Sequence, residues 1–86
     1  MTSSTTPSFR RCFKGLSAAV QARVRKQYGL WRDDPHHPSL RFKRVGEYWS
    51  VRVGRDLRAL GREKDGVLYW FWIGSHDEYL RIIRSS

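Results

Sequence analysis

Between Leu40 and Ile73 apolar residues recur at every second position, and turn signals interrupt them at short intervals. In YWSVRVG (48–54), Trp49, Val51 and Val53 alternate with Ser50 and Arg52. A period of two is that of a strand with one buried face. Upstream, Leu40, Phe42 and Arg44 alternate with Arg41 and Lys43, and Gly46-Glu47 marks a turn. Downstream, Gly54 to Asp56 is a second turn and Leu57 to Arg62 a shorter strand. Lys64-Asp65-Gly66 is a strong hairpin signal. Val67 to Ile73 is apolar on both faces, which suits a strand covered from both sides in the middle of a sheet. Strands joined by turns this short can only pair antiparallel, as a meander.

The segments flanking this block have helical spacing. Thr6 is a good helix cap and Pro7 fits the first helical position. Phe9 and Phe13 then share a face, and Gly15 is a natural stop. The first few residues would serve equally as a short edge strand. Ser17 caps a longer helix in which Val20, Val24, Tyr28 and Trp31 form one stripe, and Pro35 and Pro38 end it. His76 to Arg84 returns to helical spacing, with Tyr79, Leu80 and Ile83 apolar. The expected architecture is α+β over one domain, residues 1–86. A two-helix hairpin lies on one face of an antiparallel sheet, and a short C-terminal helix follows.

Charge limits the partners. Seventeen Lys and Arg against eight Asp and Glu give +9. Such an excess favours nucleic acid, an anionic surface or an acidic protein. No apolar run approaches the ~20 residues that span a bilayer, so a membrane partner is not expected. A lone cysteine, Cys12, makes neither an internal disulfide nor a cysteine-rich zinc site. It reads as a small buried hydrophobe. The start MTSSTTPSF lacks the apolar core of a secretory signal, which points to the cytoplasm.

Two constellations can carry chemistry. Arg52 lies opposite the apolar face of its strand, and Arg58 opens the next strand across a tight turn. Antiparallel neighbours are ~5 Å apart, so two guanidinium groups can converge there. Their planar forks suit a phosphate. Two solvated arginines paired with Glu47 or Asp56 would give the same pattern. His76 and Tyr79 follow directly on the apolar strand, where a rigid element holds side chains that stay accessible. Histidine exchanges protons near neutral pH, and tyrosine donates a hydrogen bond or stacks on a base. The alternative has His76 or Asp77 capping the last helix and Tyr79 packing in the core. His36 and His37 lack a third ligand at useful spacing, and no carboxylate cluster suggests magnesium. No metal and no cofactor is expected.

The stretch HPSLRFKRVGEYWSVRVGRDLRALGREKDGVLYWFWIGSHDEY resembles the RelE/ParE superfamily of small bacterial toxins. PSLRFKRV, then YWSVRVG, then LRAL and an apolar strand running into IGSHDEY carry the resemblance. The helical half fits the family's helical hairpin. The resemblance implies two helices packed on a small twisted antiparallel sheet, and a cognate antitoxin as partner. It implies ribosome-dependent cleavage of messenger RNA without metal; one branch of the superfamily instead inhibits DNA gyrase. Carried over by position, Arg58 would contact the transition-state phosphate, with His76 and Tyr79 as acid, base or orienting groups. Lys43, Arg52 and Arg55 would hold the RNA backbone. The readings left open are a toxin that cleaves messenger RNA, a non-enzymatic gyrase inhibitor, and a non-toxic basic nucleic-acid-binding homologue.

Overall fold

A computed structural model describes residues 2–85. The elements, in chain order, are β1 (Thr2–Thr5), α1 (Pro7–Lys14), α2 (Ala18–Asp33), a 3₁₀ turn (Pro38–Leu40), β2 (Lys43–Val45), β3 (Tyr48–Gly54), β4 (Leu57–Lys64), β5 (Val67–Ser75) and α3 (His76–Ser85). The sheet order is β1-β5-β4-β3-β2. The expected α+β layering, with the helical hairpin on the sheet and a C-terminal helix, is what the chain forms.

Local chemistry sets the helix ends. The Thr6 hydroxyl accepts the Phe9 N–H at 3.1 Å, with Pro7 in the first turn. Ser17 accepts the Val20 N–H at 3.3 Å. The Gln21 side-chain amide donates to the Phe13 and Leu16 carbonyls, both at 3.1 Å, and so ties α2 to the end of α1. Gly15 ends α1 with an ordinary φ of −77°, not the left-handed conformation that glycine often supplies there.

The strand pattern holds, with four differences. The N-terminal residues form an edge strand, and it runs parallel to β5, so the sheet is mixed. Thr2–Thr5 is polar and carries no strand period of its own. It is held by the ladder to β5, by Thr6, whose backbone N–H and hydroxyl both donate to the Trp70 carbonyl, and by a 2.6 Å hydrogen bond between the Ser3 and Tyr28 hydroxyls. Leu40 is not in a strand: it closes the 3₁₀ turn and is fully buried beside Trp31. β4 runs to Lys64, past the expected Arg62. Finally, β5 is neither the central strand nor covered on both sides: β4 is central, and Tyr69 of β5 is 39% exposed.

The main core lies between the hairpin and one sheet face. It contains Val24, Trp31, Val51, Val53, Ala59, Leu68, Trp70 and Ile73. Trp31 meets Trp70 and Phe42 edge-on, at 5.4 and 5.5 Å between ring centroids. Its indole N–H has no hydrogen-bond acceptor, and edge-to-face geometry points a ring's positive rim at its neighbour's π face. Fully burying one such large side chain stabilises the fold by about 1.5–3 kcal/mol.

The opposite face carries the other half of each alternation. Tyr48, Ser50 and Arg52 of β3 lie beside Lys43 of β2 and Arg58, Leu60 and Arg62 of β4. The register between β4 and β5 slips by one residue at Phe71, between the Leu60–Trp72 and Gly61–Trp70 pairs. This β-bulge lets Phe71 join Tyr48 on the face opposite the helical hairpin, 5.2 Å between centroids. Arg62 lies over both rings. α3 packs against β4 and β5, and Arg62 lies over the rings beyond it; together they let β5 be apolar on both sides.

Candidate functional site

The β3–β4 turn organises the region that the sequence singled out. Arg52 and Arg58 are direct cross-strand partners. Arg58 Nη1 lies 3.0 Å from the Gly54 carbonyl, 3.0 Å from that of Leu57 and 3.3 Å from that of Arg55. Arg52 Nε donates to the same Gly54 carbonyl at 3.4 Å. The two guanidinium groups therefore converge on one oxygen, each half-buried.

Like charges directly opposite each other on a sheet destabilise it. Here the consequence is visible in Arg58, whose pKa is pushed below the ordinary arginine value. Partial burial is the largest cause, and the charges of Arg52 and Arg41 add to it; Tyr79 and Asp56 pull the other way. A base lowered in this way costs stability wherever it is protonated. That range covers all ordinary pH, so the cost is never relieved by titration. No carboxylate sits on the pair: among the described residues the one ion pair is Arg62–Glu47, at 4.0 Å and exposed. Pairing of Arg52 or Arg58 with Glu47 or Asp56, the bland alternative, does not form.

α3 starts at the same turn. The His76 N–H donates to the Asp56 carbonyl at 2.9 Å. Ser75, not His76 or Asp77, is the cap: its hydroxyl accepts the Glu78 N–H at 3.2 Å, and Glu78 Oε1 accepts the Ser75 N–H at 3.3 Å. This reciprocal pair is a capping box. It leaves the His76 imidazole half-buried and stacked on Tyr79, 5.9 Å between centroids and 28° apart. Tyr79 is 6% exposed, so its ring packs as the core alternative expected, and it is near enough to Arg58 to act on its pKa.

Of the residues named from sequence, Arg52, Arg58, His76 and Tyr79 form one continuous group around residues 54–56. Lys43 is exposed on the same face, opposite Ser50 and one alternation from Arg52. Arg55 is exposed in the turn itself and contributes a carbonyl to Arg58. Sequence reasoning missed Arg41. It is exposed, caps the 3₁₀ turn in the left-handed conformation (φ 44°), and is near enough for its charge to lower the Arg58 pKa. Nothing in the local sequence signals that backbone, since arginine rarely adopts it.

The arrangement offers a cluster of fixed positive charge beside an imidazole, on a rigid sheet. It can hold a phosphodiester and exchange a proton next to it. A separate hollow of about 490 Å³ opens on the other side of the sheet, between Phe9, Phe13, Val24, Trp31, Val51 and Trp70. It contains none of the predicted site residues. Among the described residues no three His, Cys, Asp or Glu side chains gather to hold a metal ion, and no helix is long and apolar enough to cross a membrane.

Comparison with known proteins gives the same outline. A family model described as ParE-like toxin domain matches residues 18–81. No curated protein sequence matches. Among solved structures, Escherichia coli YafQ is similar with a TM-score of 0.71 and 12% identity, over 90% of this chain and 94% of that one. The toxin–antitoxin complex RelBE2 of Mycobacterium tuberculosis gives 0.66 and 20%, over 87% and 96%. The RelB–RelE antitoxin–toxin complex of Methanococcus jannaschii gives 0.68 and 11%, over 91% and 95%. At such identities these likenesses speak for the fold.

Proposed function

The chain belongs to the ParE-like toxin domain family, and from that premise we propose that it is the toxin of a toxin–antitoxin pair, working in the cytoplasm as a metal-independent, ribosome-dependent endoribonuclease on messenger RNA. The observation that carries this reading is the pair Arg52–Arg58, which forms no ion pair among the described residues, is joined at the Gly54 carbonyl, and is linked to His76 through Tyr79, which lies near Arg58 and stacks on the imidazole. A sheet that keeps two like charges face to face, with no carboxylate among the described residues in ion-pair contact with them, accepts a cost in stability that a bound polyanion would reverse.

In the proposed reaction the 2′-hydroxyl of a nucleotide attacks its own 3′-phosphate. The 2′-oxygen loses its proton, a bond forms from it to phosphorus, and the bond to the 5′-oxygen of the next nucleotide breaks. The leaving oxygen takes a proton, and a cyclic phosphate remains. Arg58 and Arg52 stabilise the negative charge that builds on the phosphate oxygens. His76 is the side chain suited to proton exchange. Tyr79 is a positioning residue: it is buried, stacks on the imidazole and lies next to the Arg58 charge. Lys43, Arg55 and Arg41 hold the flanking backbone.

Primer extension on messenger RNA after induction tests the proposal. New 5′ ends should appear with the parent chain and vanish with Arg58→Ala and with His76→Ala, while both variants still bind antitoxin. If both variants arrest growth like the parent, the mechanism is wrong. A second reading, inhibition of DNA gyrase, is favoured by one observation: the matching family model is the ParE-like one. It needs no acid or base, so loss of supercoiling before loss of translation, indifferent to His76→Ala, would select it.

A further inference from the structure

The sheet face opposite the helical hairpin carries a second feature at the end away from the β3–β4 turn. Tyr48, Arg62 and Tyr69 form one row across three strands, each the register partner of the next: Tyr48 flanks the Trp49–Gly61 pair on β3, and Arg62 pairs with Tyr69 on β5. The bulged Phe71 joins the row. The Arg62 guanidinium sits 5.3 Å from the Tyr48 ring centroid and 5.9 Å from that of Phe71. Tyr69 is the one large hydrophobic side chain exposed among the described residues. A flat ring left in water beside a guanidinium that is already stacked adds little to the core, since neither residue belongs to it.

The position of this row matters. Arg62 and Arg58 lie on the same strand and the same face, four residues apart, which is roughly 13 Å at ~3.4 Å per residue. Between them runs Lys43–Ser50–Leu60–Trp72, with Ser50 and Leu60 buried. A single strand whose phosphate rests at Arg52 and Arg58 would bring a neighbouring base over the row without bending. The chemistry fits: planar aromatic and guanidinium faces stack on any base, and the surrounding charge is positive.

We infer that Tyr48, Arg62, Tyr69 and Phe71 form a stacking platform for an unpaired nucleobase of the RNA strand bound at Arg52 and Arg58, a subsite separate from the phosphate cluster. This rests on the nucleic-acid reading of that face. The platform engages single strands only, because a duplex keeps its bases stacked on one another.

The test uses the purified full chain and a short oligoribonucleotide made uncleavable by 2′-O-methylation, in low salt, with fluorescence anisotropy as readout. Tyr69→Ala should weaken binding of the single strand by roughly five- to a hundredfold, the range for one lost base-stacking contact. Arg62→Lys, which keeps the charge and removes the planar face, should lose part of that. Placing an abasic site at successive positions gives the deciding cycle: one position should cost the parent chain affinity and cost Tyr69→Ala nothing further. Equal losses on a single strand and on a matched duplex would overturn the platform, because general charge would then explain both. An unchanged affinity in Tyr69→Ala, with a shift in sedimentation, would overturn it in favour of a protein contact. Failure of the parent to bind the strand at all would also overturn it. Cellular cleavage, measured separately, decides the catalytic proposal: strand binding with the abasic pattern but no cleavage would leave the platform standing and that proposal refuted.

Discussion

Two glycine-to-alanine substitutions should move stability in opposite directions, for reasons that are local and geometric. A Cβ on Gly74 would fall 2.4 Å from Trp72 Cζ2 and 3.1 Å from two further atoms of the same indole. An indole is rigid, so the whole ring must swing away. Overpacking of this kind costs about 1–3 kcal/mol, and the smaller conformational freedom of the unfolded alanine chain returns only about 0.4–1 kcal/mol. A net loss of ~1 kcal/mol lowers Tm by about 4–8 °C in a domain of this size. Gly29 is the counterpart. It sits inside α2 with nothing within 4 Å of its would-be Cβ, so Gly29→Ala should gain about 0.5–1 kcal/mol. Thermal unfolding followed by circular dichroism gives both values. Tryptophan emission should also shift in Gly74→Ala as the Trp72 ring changes surroundings. A Gly74→Ala protein as stable as the parent, or a shift of the same sign in both variants, would refute the claim that the indole is packed down on the Gly74 backbone.

Other outcomes follow from the packing and the caps. Trp31→Ala should cost about 3–5 kcal/mol in a chain whose whole stability is of order 4–13 kcal/mol, so urea titration should find its midpoint well below the parent's. Ser75→Ala removes the capping box and should cost ~1 kcal/mol; hydrogen exchange should quicken in the first turn of α3 and leave β4 unchanged. Arg58→Lys keeps the charge but loses the fork that closes the β3–β4 turn, so it should unfold at a lower temperature and relieve growth arrest, though less than Arg58→Ala does. Raising salt should stabilise the free protein by screening Arg52 from Arg58, and an Arg52→Gln variant should show a smaller salt response in the same melts.

What could be read from the sequence followed what is encoded locally. Thr6-Pro7 and Ser17 start helices where they stand, and the stripe through Val24 and Trp31 faces the core because a 3.6-residue repeat leaves it no other choice. Asp65-Gly66 turns the chain with φ of 52° and 80°, as that pair is suited to do. The convergence of Arg52 and Arg58 was legible for the same reason: a short turn fixes which residues face each other. An edge strand at the start was open from the sequence, but its parallel pairing was not legible, because β1 is held by β5, far along the chain, and not by its own polar residues. The slip at Phe71 likewise depends on two strands at once. The Ser75 cap is encoded locally: Ser-His-Asp-Glu is the S-x-x-E pattern of a capping box, so the cap falls one residue before His76. Tyr79 shows the limit of placing site residues by sequence position. Its location beside Arg58 was foreseeable, but its burial depended on how α3 folds back onto the sheet.

The parallel pairing of β1 with β5 has a consequence for synthesis. Thr2 to Thr5 are made long before the partners they need, Val67 to Trp70. Until then the opening segment has nothing to join, and β5 has no chance to order its outer edge. The nascent chain therefore carries an unclosed sheet until β5 is made. Closing the sheet at that edge is therefore a late event, which waits on the most sequence-distant strand pairing in the fold.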